Sequence, residues 1–131
     1  MARFMLSFPQ RNKRKEMYQP FKITAELEIR KHGFCFLNPK RIRLLKHIQT
    51  GGSILAASKE LRMSYQQAWT TVRDINSTAS LPVVTRQRGG ANGGGAAVTP
   101  FGLKLIERFD LMQAKHDTYL KELEDELDIC V

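Results

Sequence analysis

Two short helical segments separated by a two-residue turn constrain the fold of this chain more than any other feature. Ser53 is a typical helix N-cap, and it opens a short segment whose packed side carries Ala56 and Ala57. After the turn, Ser64 starts a second helix, and Gln67 three residues later completes a capping-box pattern. Because the turn is so short and the alanines are so small, the two helices are predicted to pack closely against each other.

The second of these helices has two faces of different character. The apolar face, with one amide at its end, comprises Tyr65, Ala68, Trp69, Val72, Ile75 and Asn76. The polar face comprises Gln66, Gln67, Thr70 and Asp74, flanked by Thr71 and Arg73. This division is typical of a helix-turn-helix, whose second helix packs on the domain with one face and reads bases with the other. Trp69 is predicted to pack in the core, and the alternative is a base-stacking role.

The rest of the chain predicts an α+β fold, a winged helix-turn-helix with a long C-terminal dimerisation helix. The further predicted elements are a half-buried strand over residues 21–30, a helix from Asn38 to about Thr50, strands over residues 81–85 and 96–98, and a helix from Thr99 to about Leu127. A glycine-rich loop between the last two strands is predicted to form the tip of the wing.

The charge distribution indicates a polyanionic partner. The chain has 131 residues and a net charge of +8, and residues 31–104 contain 11 basic but only 2 acidic groups. Residues 105–131 contain 3 basic and 8 acidic groups. The middle of the chain would therefore attract a polyanion, either nucleic acid or an anionic membrane surface, whereas the last helix would repel it. The alternative is that the basic residues only keep the surface soluble.

Double-stranded DNA is the partner that these features favour. Glutamine can bond adenine, threonine can contact thymine, helix N-termini bind phosphate, and arginine suits a narrow minor groove. Glycines in the wing would let its backbone approach the DNA closely. The residues predicted to contact DNA are Ser53, Ser64, Tyr65, Gln66, Gln67, Thr70, Thr71, Arg73, Arg86, Arg88, Gly93 and Gly94.

The last helix is predicted to form a homodimer. At about 1.5 Å per residue it spans roughly 40 Å, which is longer than a domain of this size needs. Its heptad-like seam comprises Leu105, Phe109, Met112, His116, Tyr119 and Leu123. The alternative is that this seam packs on its own domain.

The sequence predicts neither catalysis nor a cofactor. Cys35 and Cys130 lie far apart, and the three histidines are scattered, so no metal site is expected. No nucleophile-and-base arrangement is suggested, and the glycine loop lacks the Gly-Lys-Ser/Thr ending of a phosphate-binding loop. No apolar run is long enough to cross a membrane and no secretory signal is visible, so a cytoplasmic protein is expected.

As a set, several short motifs resemble the N-terminal DNA-binding domain of the ModE family of molybdate-responsive regulators. They are Gly52-Ser53-Ile54, Met63-Ser64-Tyr65, Ala68-Trp69, the glycine-rich loop, and Val98-Thr99 with Gly102. The resemblance covers about residues 21–125, and the general outline is also similar to LysR-type regulators. It implies a winged helix, dimerisation through the last helix, operator binding through the third helix and the wing, and a link to molybdenum metabolism.

The chain departs from this family in one respect. ModE-type proteins carry C-terminal domains that bind molybdate, and this sequence stops at Val131, so molybdate binding by this chain is not expected. The predicted organisation is a mobile basic arm at 1–20, a DNA-binding domain at 21–104 and a dimerisation helix at 105–131. Two alternatives remain, a nucleoid-type protein of low sequence specificity and a molybdate-sensing or storage protein that uses subunit interfaces.

Overall fold

The computed structural model describes residues 21–87 and 94–130, with side chains described as far as 128, and it has an α+β architecture. The predicted basic arm at 1–20 lies outside the described residues. The elements, in chain order, are β1 (Ile29–Lys31), β2 (Phe34–Leu37), α1 (Pro39–Gly51), α2 (Ile54–Glu60), α3 (Tyr65–Thr78), β3 (Val84–Gln87), β4 (Gly95–Val98) and α4 (Pro100–Cys130). The strands form two antiparallel hairpins, β1 with β2 and β3 with β4.

The predicted helix starts are confirmed, because each N-cap side chain accepts a hydrogen bond from the first turn. The Asn38 side chain accepts from the Arg41 N–H at 2.8 Å, and Ser53 accepts from Ala56 at 2.9 Å. Thr99 caps α4 in the same way, accepting from the Gly102 N–H at 3.0 Å. Such caps satisfy amide groups that have no partner within the helix.

The strand predicted over residues 21–30 is wrong for most of its length. Only Ile29 and Arg30 of that segment are in β1, which pairs with β2 from Lys31 back to Ile29. A strand needs a partner along its whole length, and β2 ends at Leu37, immediately before the residue that caps α1. The alternation in residues 21–28 therefore has no strand to pair with.

Individual residues explain the position of the β1–β2 turn and of the start of β3. His32 and Gly33 have φ angles of 52° and 82°, which is the backbone of a two-residue hairpin turn. In the other hairpin β3 begins at Val84, whereas the sequence predicts a strand over residues 81–85. Pro82 has no N–H, and the Val83 N–H donates to the side chain of Asn76 instead.

Residues 26–116 form one compact unit with its own hydrophobic core. The buried core residues are Leu37, Ile42, Leu44, Leu45, Ile48, Ile54, Ala57, Ala68, Val72, Ile75, Val83, Val84, Ala96, Ile106 and Phe109. The core therefore draws on β2, α1, α2, α3, both strands of the β3–β4 hairpin and the first part of α4. Three of these residues, Ala68, Val72 and Ile75, belong to the predicted apolar face of α3.

A smaller unit, described by itself, contains residues 21–25 and 117–130. Within it, the Ile23 N–H donates to the carboxylate of Glu124 at 2.8 Å, and Glu124 is buried. Among the helices that the structure describes, none combines the length and the apolar character needed to cross a bilayer.

Candidate nucleic-acid interface

The start of α3 is fixed by a reciprocal pair of hydrogen bonds. The Gln67 N–H donates to the Ser64 hydroxyl at 3.0 Å, and the Ser64 N–H donates to the Gln67 side-chain carbonyl at 3.2 Å. The predicted capping box is thus present. Because Gln67 uses its carbonyl oxygen for this cap, Gln67 and Ser64 serve first to position the helix.

Three further uncharged polar side chains of α3 line this face, Gln66, Thr70 and Thr71, and only Thr71 is bonded within the helix. Thr71 donates its hydroxyl proton to the Gln67 backbone carbonyl at 2.8 Å. Gln66 is exposed and Thr70 is half-buried, and neither side chain makes a hydrogen bond to another described residue. Gln66 and Thr70 are consequently the side chains whose full hydrogen-bonding capacity is available to a partner.

A shallow groove of about 370 Å³ runs along this face. Its lining residues are Lys40, Met63, Ser64, Gln66, Gln67, Thr70 and Thr71. Lys40 lies on α1 and was not among the predicted contact residues. The sequence offers only its positive charge as a signal, because its position beside α3 depends on how the two helices pack.

Ser53 lies at the base of the β3–β4 hairpin. Its hydroxyl is used as the α2 cap, and its backbone forms an isolated bridge with Gly95. The neighbouring Gly52 carbonyl accepts from the Ala96 N–H at 2.9 Å. Ser53 therefore joins the helix pair to the hairpin.

The β3–β4 hairpin has the register expected of a regular antiparallel pair, from Val84 opposite Val98 to Gln87 opposite Gly95. Arg86 is exposed on β3, and Gly94 is exposed just before β4 begins. The predicted contacts Arg88 and Gly93 lie outside the described residues.

Trp69 lies at the junction between α3 and this hairpin. The guanidinium carbon of Arg73 is 5.1 Å from the centre of its ring system, and that of Arg86 is 5.8 Å away. Arg86 also contacts the hydroxyl of Tyr65, with 3.4 Å between Nη2 and Oη. Tyr65 is 45% exposed, and Trp69 is only partly buried, with part of its surface against the core. The prediction that Trp69 packs in the core is therefore only partly correct.

The turn between α2 and α3 carries a further cation. Arg62 is exposed and has a φ of 54°, in the left-handed region. The Met63 N–H donates to the Ser58 carbonyl and the Arg62 N–H to the Lys59 carbonyl, at 2.9 and 3.2 Å. These two bonds form a Schellman motif, a helix ending in which glycine is the usual left-handed residue.

Some residues of the predicted seam on α4 are buried and others are exposed. Phe109 is 2% exposed and lies in the core of the larger unit, so it is not available to a partner chain, and its assignment to an interface is corrected. Leu105 also packs against that core. Met112 is 41% exposed and Tyr119 57% exposed, whereas His116 and Leu123 are half-buried.

No set of three His, Cys, Asp or Glu side chains within residues 21–87 and 94–128 is placed so as to hold a metal ion. This concerns the described side chains alone.

Comparison with known proteins relates the chain to regulators. No family model matches the sequence. A transcriptional regulator ModE of Haemophilus influenzae is 38% identical over 100 residues, which are 76% of this chain and 39% of that protein. The DNA-binding transcriptional dual regulator ModE of Escherichia coli K12 is 42% identical over 77 residues, which are 59% of this chain and 29% of that protein.

A third relative carries a different name. The molybdenum-pterin-binding protein MopB of Rhodobacter capsulatus is 39% identical over 93 residues, which are 71% of this chain and 34% of that protein. The chain therefore spans between 29% and 39% of the length of these three proteins. By their names, these relatives are transcriptional regulators and a binding protein. Over most of its length, this chain is homologous to the N-terminal region of the ModE transcriptional regulators.

Proposed function

We propose that this chain is a transcriptional regulator that binds a specific double-stranded DNA sequence through a winged helix-turn-helix. In this proposal α2 and α3 are the helix pair, α3 is the reading helix and the β3–β4 hairpin is the wing. The observation that carries the proposal is the pair Gln66 and Thr70, which face outward on α3 and are not used by the fold.

The chemistry of this face suits base recognition. The Gln66 amide offers a donor and an acceptor, the pattern that binds adenine in two places. Thr70 offers a hydroxyl and a methyl group, which suits thymine. Lys40, beside them in the groove, provides a phosphate contact at its edge.

The same face argues against a nucleoid-type protein of low specificity. A surface that binds only the DNA backbone would be rich in lysine and arginine. In the groove along α3, Lys40 supplies the charge, and the other polar lining residues carry hydroxyl or amide side chains.

The relatives support this proposal by name. Those of H. influenzae and E. coli are transcriptional regulators, and the latter is called DNA-binding. We extend this role, and with it a cytoplasmic location, to the present chain. Only the names of some relatives connect this chain with molybdenum. That this chain binds no molybdate stays a prediction, which stoichiometric heat on titration with molybdate would contradict.

A homodimer through α4 completes the proposal. Met112 and Tyr119 are exposed apolar residues of that helix, and a partner helix would cover them. A two-fold dimer presents two reading helices, so we expect a pseudopalindromic DNA site with half-sites about one helical turn, or a multiple of it, apart.

The test is selection of bound sequences from a random DNA pool, followed by affinity measurements on the best site and on random DNA. Gln66→Ala and Thr70→Ala should each weaken binding to the best site by about 1–3 kcal/mol and relax the preference at one base position. Gln49→Ala, a change of another exposed glutamine on α1, is the matched control and should leave the ratio unchanged. If Gln66→Ala and Thr70→Ala also keep the original ratio of affinity for the best site to affinity for random DNA, α3 does not read the sequence.

A further inference from the structure

We propose that Arg73 and Arg86, held on the ring of Trp69, together bind one phosphodiester group. This rests on the proposed DNA binding, and it names a phosphate site at the junction of the reading helix and the wing. Trp69 is the positioning residue of this site, and Tyr65 is its third polar member. We call these four residues the Trp69 cluster.

The cluster is built by two separate elements. Tyr65, Trp69 and Arg73 are spaced four residues apart on α3, so they form one stripe along the helix. Arg86 reaches the same stripe from β3. Both guanidinium carbons are within 6 Å of the indole centre, the range in which a cation is attracted to the electron-rich face of the ring.

The charge of the cluster is unbalanced. Within the described residues, neither Arg73 nor Arg86 forms an ion pair, whereas Arg30 pairs with Glu28 and Lys46 with Asp110. Two guanidinium groups drawn to a single ring repel each other. An anion bound by both would offset that repulsion, so the cluster is electrostatically suited to a negative ligand.

The donors of the cluster remain available. A guanidinium group carries five N–H donors in its plane, and an aromatic ring engages its face rather than those donors. Among the described residues, the hydrogen bond that these two arginine side chains make is the one from Arg86 to the Tyr65 hydroxyl, at 3.4 Å. That hydroxyl can donate its own proton to an oxygen of the ligand. Paired arginine donors match the geometry of phosphate oxygens.

The alternative is that Arg86 only attaches the hairpin to α3. A purely structural role would change stability when Arg86 is replaced, but it would change neither the number of phosphates bound nor the access of anions to Trp69. The experiment therefore measures both of these quantities.

The first measurement is the salt dependence of binding to the selected DNA duplex. Each lost phosphate contact reduces the slope of log K against log salt by about 0.9. If both arginines hold the same phosphate, the Arg73→Gln, Arg86→Gln double variant should lose about 0.9 in total. A loss of about 1.8 would mean two independent phosphates, and an unchanged slope would mean none; either result overturns the shared site. Arg108→Gln, an exposed arginine of α4, is the control and should keep the full slope.

The second measurement uses fluorescence, because Trp69 is the only tryptophan in the chain. Iodide, an anion, should quench its emission more strongly than the neutral quencher acrylamide does, and inorganic phosphate should protect it. In the double variant the iodide preference and the protection should both disappear. If phosphate gives no protection in the original chain, the proposed site is wrong.

The two measurements separate this inference from the proposed function. Phosphate protection of Trp69 in a chain that binds no specific DNA would keep the site and reject the function. Specific DNA binding with an unchanged salt slope in the double variant would keep the proposed function and reject the phosphate site. Trp69→Phe, which keeps an aromatic ring, should retain more of the slope than Trp69→Leu, and thermal unfolding shows whether each variant is folded.

Discussion

Asn76 and Val84 are joined by two hydrogen bonds, between the side-chain amide of Asn76 and both backbone polar groups of Val84. The Asn76 amide nitrogen donates to the Val84 carbonyl at 2.9 Å, and its oxygen accepts from the Val84 N–H at 3.1 Å. The same oxygen accepts from the Val83 N–H at 2.8 Å. The last turn of α3 thereby fixes the start of β3, and with it the strand that carries Arg86.

Asn76→Asp should destabilise the chain at neutral pH. The substitution replaces the donor facing the Val84 carbonyl with a second, charged acceptor, so we expect a loss of about 1–3 kcal/mol in the free energy of unfolding. Urea unfolding at pH 7 measures it. Asn38→Asp is the control, because an N-cap needs only an acceptor and a carboxylate supplies one. Equal losses in the two variants would contradict this account of Asn76.

Gly102→Ala should also be destabilising, although alanine favours helices by about 1 kcal/mol over glycine. A Cβ at Gly102 would lie 2.5 Å from the Val83 carbonyl oxygen and 2.7 Å from a methyl group of Val98. Val83 is in the core and Val98 packs against it, so neither can move freely, and we expect a net loss of about 1–3 kcal/mol.

Gly51→Ala is the matched control for this prediction. Its Cβ would meet the Cβ of Ala56 at 3.6 Å, which is ordinary contact. We expect this variant to be neutral or slightly more stable. If Gly102→Ala melts at or above the melting temperature of Gly51→Ala, then Val83 and Val98 move to accommodate the added Cβ without a loss of stability, and the prediction is wrong.

Arg62→Gly should stabilise the chain. Arg62 has a left-handed backbone, which costs an ordinary residue about 1–2 kcal/mol and costs glycine little. We expect a gain of about 1 kcal/mol, measured by thermal unfolding. Lys59→Gly, within α2, should be destabilising by about the same amount because its backbone is helical. If both glycine variants lower the melting temperature, strain at Arg62 is not released.

The proposed dimer is tested best at Met112. Met112→Asp places a charge on an exposed position of the predicted seam, so sedimentation equilibrium should show a weaker dimer and DNA binding should fall. Leu111→Asp is the control, since Leu111 is also exposed on α4 but lies outside the seam. Phe109→Asp is unsuitable because it would place a charge in the core. A wild-type monomer at tens of micromolar that still binds DNA specifically would refute the dimer.

The sequence by itself determined the helix starts and stops. Asn38, Ser53 and Ser64 each form their capping bonds with residues three positions away, and Gly52 ends α1 with a φ of 71°. Both partners of such a bond lie within one helical turn, so the bond depends only on residues that are close in the sequence. For the same reason, the spacing of residues within α3 is enough to define its polar and apolar faces.

Only the tertiary structure decided which of these faces are covered and by what. The alternation in residues 21–28 lacks a partner strand, Phe109 is covered by its own core, and Trp69 meets Arg86 from a strand 17 residues away in the sequence. Strand pairing and burial depend on contacts between distant segments. Local periodicity indicates which side of an element is apolar, but the segment that covers that side is chosen by the packing of the whole unit.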